Sequence, residues 1–299
     1  MSGSNARTVP VSVVIPTLGG DDLFETVQHL NGGSVVPTEI MICIPEGIAF
    51  RPDSLPFPNV RIVRTQVRGQ VTQRIAGFRE PSQPFVMQLD DDVWLDRRCM
   101  ELLLECIRDR PDAAASPSLL DRETGTLMQW MSRPMPTDSA LRRALFRLAN
   151  GVKGYQPGRV GKAGVGMGFS DTTMEAYEVE WVPGGCTLHH RGNLVIENFY
   201  PFTGKAYAED LFHSWALRQK NIGLLHCPSA MCRIDNTSSK SSGLWSFLRI
   251  YFYSSRALMS YAAISGGSRV RLLAFLLLWP VSLVFQRRKL RHAAKNRHQ

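Results

Sequence analysis

The stretch Phe85-Val-Met-Gln-Leu-Asp-Asp-Asp92 joins a short apolar run directly to three consecutive aspartates. An apolar run of this length, bounded by turn-forming residues, predicts a buried β-strand over residues 85–89. Adjacent carboxylates repel one another, so at the end of a buried strand they need a cation or a dense set of hydrogen-bond donors. The stretch therefore predicts a sheet with a polar site at its edge.

Alternating apolar elements surround this stretch. Further strands are predicted at Val11–Ile15, Glu39–Ile44 and Val60–Val63, and helices at Leu23–Leu30, Gly69–Arg79 and Met100–Arg108. Strands that alternate with helices predict an α/β fold with a mainly parallel central sheet and helices on both of its faces. Ligands bind such sheets at the carboxyl ends of the strands. We therefore expect Pro16-Thr17, Pro45-Glu46 and the aspartates to surround one crevice.

The acidic triplet Asp90-Asp91-Asp92 has the chemistry of a metal site. Mg²⁺ and Mn²⁺ prefer carboxylate and phosphate oxygens and often bridge a protein and a nucleotide. Alternate residues of a strand share a face, so Asp90 and Asp92 are expected to point together and Asp91 to point away. Asp90 and Asp92 could then hold a metal ion on a diphosphate. The alternative is a solvated acidic turn.

Five motifs follow one another between residues 10 and 235. They are Ile15-Pro16-Thr17, Gln73-Arg74-Ile75-Ala76-Gly77, the Asp90 and Asp92 pair, Val182-Pro183-Gly184-Gly185-Cys186, and Glu209-Asp210 at the start of an amphipathic helix. In this order and spacing they resemble the family 2 glycosyltransferases, whose GT-A fold is Rossmann-like. That helix ends near Asn221, where the family usually has Gly and where Asn is the best substitute in a left-handed conformation.

The resemblance implies an inverting, metal-dependent transfer of a sugar from a nucleotide-sugar to a hydroxyl. It implies Asp210 as the general base, with Glu209 as the second candidate, and Gly184 and Gly185 on the acceptor side. Asp92 and Asp90 would hold Mn²⁺ or Mg²⁺. The residues expected to bind the nucleotide-sugar are Pro16, Thr17, Glu46, Arg74, Asp90 and Asp91.

Two other functions remain open. Ile75 and Ala216 stand where the family usually has Asn and Arg, so a catalytically inactive membrane scaffold on the same fold is one alternative. A sugar-nucleotide pyrophosphorylase would share the α/β layout. That class needs a Gly-rich basic loop after the first strand, and Thr17-Leu-Gly-Gly-Asp21 is not basic.

The positive charge of the chain is concentrated at its C-terminal end. The net charge is +9, and eleven Lys and Arg but no Asp or Glu follow Asp235. These basic residues flank apolar runs, which favours an anionic membrane surface, and no nucleic-acid-binding motif accompanies them. We therefore predict a flexible N-terminus (1–9), a GT-A domain (10–235) and a membrane-associating helical appendage (236–299).

Within the appendage, residues 244–264 combine a narrow polar stripe with a broad apolar face. The apolar run Leu272–Phe285 has 14 residues, whereas a span needs about 20. For residues 244–299 we favour helices in the membrane interface or a re-entrant hairpin. A single span is the second choice. The other alternative is that these helices pack on the catalytic domain.

The remaining features concern the compartment. The six cysteines form no CxxC pair, and Met1–Pro10 lacks an apolar signal region. Both predict a body at the cytoplasmic face of a membrane, which suits a lipid-linked or glycan acceptor and membrane-associated glycan or glycolipid synthesis.

The five glycines of Gly158–Gly168 have no phosphate-loop spacing and predict a mobile loop.

Overall fold

The computed structural model describes residues 7–128, 139–151, 155–169, 173–198, 200, 202, 206–235 and 244–295. The strands are β1 (Arg7–Pro16), β2 (Val35–Pro45), β3 (Val60–Thr65), β4 (Phe85–Leu89), β5 (Val93–Leu95), β6 (Ala113–Asp121), β7 (Tyr177–Val179), β8 (Cys186–His190) and β9 (Gly223–Ile234). The helices are α1 (Leu23–Asn31), α2 (Gln70–Phe78), α3 (Cys99–Ile107), α4 (Ala140–Asn150), α5 (Glu209–Gln219), α6 (Leu244–Ser265) and α7 (Arg269–Lys295).

The described residues form two compact units. The sheet unit comprises residues 7–128 and 173–235 with their gaps, and the helical unit comprises residues 139–151, 155–169 and 244–295. α6 and α7, which follow the boundary predicted at residue 235, belong to the helical unit. The same unit contains α4 and the glycine-rich segment, which the prediction placed in the GT-A domain. β1 begins at Arg7, within the segment predicted as a flexible N-terminus.

The first half of the sheet is parallel. The hydrogen-bonded order of the main path is β3-β2-β1-β4-β8-β6-β9-β5, and β7 pairs with β9. β1, β2, β3 and β4 run parallel, which brings their carboxyl ends to one edge. The apolar runs of β1 and β2 are fully buried, Val13 and Ile15 of β1 among them, as expected for strands covered on both faces, whereas β3 at the edge is partly buried.

The second half of the sheet is mixed. β8 runs antiparallel to both β4 and β6, while β6 and β9 are parallel. The motif Val182–Cys186 leads into β8, which begins at its last residue, and Gly184 and Gly185 form the turn before the strand. Because β8 runs antiparallel to β4, the turn before β8 lies beside the acidic triplet that follows β4.

Two non-glycine residues adopt left-handed conformations at the ends of α5. Ala208, just before the helix, has φ +56°, and Asn221, just after it, has φ +58°. The second confirms the left-handed end predicted at Asn221. Ala is rare in this conformation, so the backbone at Ala208 is strained immediately before Glu209-Asp210.

The helical unit has its own apolar core. Phe146 of α4 packs edge-on against Trp279 of α7, with ring centroids 5.9 Å apart. The glycine-rich segment packs closely against α6, since a Cβ at Gly164 would lie 3.3 Å from Ala262. Its mobility stays a prediction. None of the helices that the structure describes is both long and apolar enough to cross a membrane.

Candidate active site

The acidic triplet lies directly beyond β4, at the carboxyl edge of the parallel strands. β4 ends at Leu89, and Asp91 and Asp92 form a turn before β5. The alternation of a strand therefore does not continue through the triplet. All three aspartates line one open cavity of about 710 Å³, so the expectation that Asp91 faces elsewhere is wrong.

The cavity combines residues from several strand ends. Pro16 and Thr17 after β1 line it together with the triplet, as the sequence predicted. Glu46 does not; its side chain is exposed and lies outside the lining. Residues that were not predicted to belong to the site complete the walls: Leu18, Gly20, Arg68, Gly69, Gln70, Gln73, Met128, Ile234 and Asp235.

Each carboxylate of the triplet has a different environment. Asp90 accepts hydrogen bonds from Arg74 (Nη2 to Oδ1, 2.9 Å) and Gln70 (Nε2 to each oxygen, 3.3 Å). Asp91 accepts a hydrogen bond from the hydroxyl of Thr17. Burial and the negative charges of Asp90 and Asp91 raise the pKa of Asp92 to about 7. A cation bound beside Asp92 would therefore favour the ionised form of its carboxylate.

Arg74 connects the triplet to the start of α5. Its side chain projects from α2 and the residue is only 4% exposed. Nη1 donates to both carboxylate oxygens of Glu209 at 2.7 and 2.8 Å, while Nη2 donates to Asp90. Although burial lowers the pKa of Arg74, the charges of Glu209 and Asp90 raise it above its ordinary value. Arg74 does not line the cavity, so it supports the site from behind.

The two acidic residues at the start of α5 have separate roles in the structure. Glu209 is buried and held by Arg74. Asp210 is partly buried and its Oδ1 accepts a hydrogen bond from the backbone N–H of Leu211 at 3.1 Å. Burial and the charge of Glu209 raise the pKa of Asp210 to about 7. A carboxylate with a pKa near neutrality is suited to accept a proton.

The glycines before β8 bring the backbone close to these carboxylates. A Cβ built on Gly184 would lie 2.6 Å from Oε1 of Glu209 and 3.8 Å from Cβ of Asp210. The carbonyl oxygen of Gly185 accepts a hydrogen bond from the N–H of Asp90 at 2.9 Å. This turn therefore touches both the triplet and the start of α5, and a side chain at Gly184 would displace Glu209.

We expect Gly184→Ala to destabilise the protein by about 1–3 kcal/mol, because the added methyl overlaps a carboxylate that Arg74 holds in place. Gly192→Ala is the matched control, since a Cβ there meets nothing within 4 Å, and its effect should stay within about 0.5 kcal/mol. Urea denaturation of the two variants measures the difference. Equal midpoints would contradict the tight packing of Gly184 against Glu209.

Gln73 was missed by the sequence analysis as a site residue. Its Nε2 donates to the carbonyl oxygens of Thr17 and Cys43, both at 2.8 Å, and its Oε1 accepts from the N–H of Gly69 at 3.1 Å. Gln73 thereby joins the ends of β1 and β2 to the start of α2. At 100° per residue, Gln73 lies opposite the apolar side that Val71, Ile75 and Phe78 form, so helical periodicity gives no signal for its burial.

The triplet has the donor set for a divalent cation that a phosphate completes. Among the described residues no basic side chain pairs with Asp91 or Asp92, and no three His, Cys, Asp or Glu side chains form a preformed metal site. Mg²⁺ usually binds through one or two carboxylates together with substrate phosphates rather than in an all-protein cage. The residues present therefore fit a metal that binds together with a diphosphate.

A known family matches part of the chain. The family model described as Glycosyl transferase family 2 matches residues 50–166, a segment that contains Arg74 and the triplet but ends before Glu209-Asp210. Over that segment the resemblance inferred from the motifs is confirmed. None of the curated proteins matches the chain in sequence.

The fold also matches solved structures. The crystal structure of GalNAc-T7 with UDP, GalNAc and Mn²⁺ superposes with a TM-score of 0.54 and 16% sequence identity. The match covers 89% of this chain and 54% of that chain, so this chain spans about half the length of its structural neighbour. At this identity the likeness establishes the fold alone, and the predicted α/β GT-A fold is confirmed.

Proposed function

We propose that the chain is a glycosyltransferase that moves a sugar from a nucleotide-sugar to an acceptor hydroxyl with inversion of configuration. The observation that carries the proposal is the Asp90–Arg74–Glu209 ion network. This network links a cavity lined by the acidic triplet to the helix start that carries Asp210. The family 2 match over residues 50–166 and the GT-A fold support the same reaction class.

The donor diphosphate would bind in the cavity at the triplet. Arg68 lines this cavity with an exposed guanidinium, which is suited to phosphate oxygens. Asp92, with Asp90, would hold Mn²⁺ or Mg²⁺, and such a metal would neutralise the charge that builds on the leaving diphosphate. Thr17 orients Asp91 through its hydroxyl hydrogen bond. The Mn²⁺ and UDP named for the structural neighbour support this type of ligand.

Asp210 would act on the acceptor. In the proposed step its carboxylate accepts the proton of an acceptor hydroxyl, whose oxygen attacks the anomeric carbon from the face opposite the leaving group. One displacement of this kind inverts the configuration. Glu209 does not compete for this role, because both of its oxygens are bonded to Arg74. The turn at Gly184-Gly185 borders Asp210 and would form part of the acceptor side.

The direct test is a thermal-shift screen of UDP, GDP, dTDP and CMP, each with Mn²⁺ or Mg²⁺. A nucleotide at about a hundred times its Kd stabilises the native state by about 2.7 kcal/mol. We expect one nucleotide to raise the Tm, and the metal-dependent part of that rise to disappear in Asp92→Asn because a carboxylate ligand is lost. No shift with any nucleotide, or an unchanged metal effect in Asp92→Asn, would contradict the proposal.

Asp109→Asn is the matched control for this screen, since Asp109 is exposed and lies outside the cavity lining. Its shifts should equal those of the wild type. A nucleotide shift without measurable sugar transfer or hydrolysis would favour the catalytically inactive scaffold. Pyrophosphate-dependent formation of a nucleoside triphosphate would instead identify a pyrophosphorylase.

The acceptor and location complete the proposal. We propose a lipid-linked or glycan acceptor and a position at the cytoplasmic face of a membrane, in glycan or glycolipid synthesis. The concentration of basic residues after Asp235 supports this location.

A further inference from the structure

Helix α6 presents a mixed aromatic and basic stripe to solvent. Trp245, Leu248, Arg249, Phe252 and Arg256 are exposed and recur at the three- and four-residue spacing of one helical face. Trp245 is 84% and Phe252 64% exposed. Large apolar side chains that alternate with arginines on one face are typical of helices that lie in a membrane interface.

Helix α7 has two apolar faces. Leu272, Phe275 and Trp279 are buried in the helical unit, where the rings of Phe275 and Trp279 lie 5.1 Å apart. The outward face carries Val270 (80% exposed), Leu273, Leu277 (67% exposed) and Val281, again at helical spacing. The core of the helical unit is thus completed by one face, and the other face remains exposed among the described residues.

We propose that the outward faces of α6 and α7 bind an anionic lipid membrane surface, with their apolar side chains at the boundary between headgroups and acyl chains and their arginines at the phosphates. The positive charge of this region favours an anionic membrane as the binding partner, because eleven basic and no acidic residues follow Asp235. Each basic residue near an anionic leaflet contributes about 1 kcal/mol, which is about fivefold in binding. The proposal does not depend on sugar transfer.

The arginines of the α6 stripe decide how the helix lies. Arg249 and Arg256 are exposed beside Trp245 and Phe252, so insertion of this face into the hydrocarbon would bury both charges. A helix parallel to the surface keeps them at the phosphates while the aromatic rings enter the interface. This geometry favours surface binding over a re-entrant hairpin. A second copy of the chain would bring basic faces together, which like-charge repulsion opposes.

The experiment is co-sedimentation of the full chain with vesicles of phosphatidylcholine alone and with added phosphatidylglycerol. We expect binding to the anionic vesicles that weakens as salt rises. Leu273→Glu with Leu277→Glu should lower that binding at least tenfold, because both the apolar contact and the charge balance are lost. Arg249→Gln with Arg256→Gln should lower it about fivefold for each residue while the apolar face stays intact.

Met174→Glu with Ile196→Glu is the matched control, since it adds the same charge at two exposed apolar residues of the sheet unit. This control should bind like the wild type. Equal binding by the Leu variant, or no binding by the wild type, would overturn the proposal. A dimer in light scattering without vesicle binding would do the same and would identify the face as an interface between copies. The nucleotide screen would be unaffected by either outcome, so the two proposals fail separately.

Discussion

Replacing Asp210 by Asn is expected to lower the rate of sugar transfer by about 10²–10⁴-fold, the usual contribution of a positioned general base. Asn has nearly the same shape but cannot accept the proton of the acceptor hydroxyl. Nucleotide binding should be unchanged, because Asp210 lies outside the lining of the cavity at the triplet. Transfer kinetics and a nucleotide thermal shift, measured on the same preparation, test both expectations.

The pH dependence provides an independent check of this assignment. Burial and the charge of Glu209 raise the pKa of Asp210 to about 7. A base is active when deprotonated, so the transfer rate should rise with pH up to about 7 and then level off. In assays saturated with metal, which keeps Asp92 deprotonated, the acid limb should vanish in Asp210→Asn. Near-wild-type turnover in this variant, or an identical acid limb, would eliminate Asp210 as the base.

Replacing Arg74 by Met is expected to destabilise the protein by about 3–5 kcal/mol, because the buried carboxylate of Glu209 loses its partner. Met keeps much of the side-chain volume, so the loss reflects charge rather than packing. Asp90 loses its ion pair in the same variant. Chemical denaturation followed by circular dichroism measures the change.

Two further variants separate a buried charge network from a general loss of structure. Adding Glu209→Gln to Arg74→Met removes the unpaired carboxylate and should recover a large part of the lost stability. Arg98→Gln is the control, since Arg98 pairs with Glu101 while mostly exposed, and it should cost at most about 1 kcal/mol. Equal losses in Arg74→Met and Arg98→Gln would contradict the buried network.

Local patterns were sufficient to predict the first half of the sheet unit. The strand predicted at 85–89 coincides with β4, and the one predicted at 60–63 begins where β3 begins. In both strands apolar residues lie between turn-forming residues; β4 lies inside the sheet and is mostly buried, whereas β3 lies at its edge and is partly exposed. β6 and β8 follow no such rule. β6 contains Ser116, Pro117 and Ser118, and these small and polar residues are buried where β6 pairs with β9.

Some residues of the candidate site could likewise be predicted from the sequence, and others could not. Thr17 and the triplet were predicted at one edge, because the carboxyl ends of parallel strands must meet there. Glu46 follows β2 but lies outside the cavity. Asp91 does not follow the alternation of a strand, because the chain turns directly after Leu89 and no longer has strand geometry. Arg68 belongs to none of the motifs, and Gln73 belongs to one but was given no role; both join the site through the position of α2.

The sequence by itself therefore determined the α/β class, the parallel strands and the acidic triplet at their edge, because periodicity and strand ends are local properties. Only the tertiary structure decided that Arg74, 135 residues from Glu209, forms a buried ion pair with it and stands behind the triplet. It also decided that Asp210 has a pKa near 7. Both results depend on burial and on charges brought together from distant parts of the chain, which no local pattern encodes.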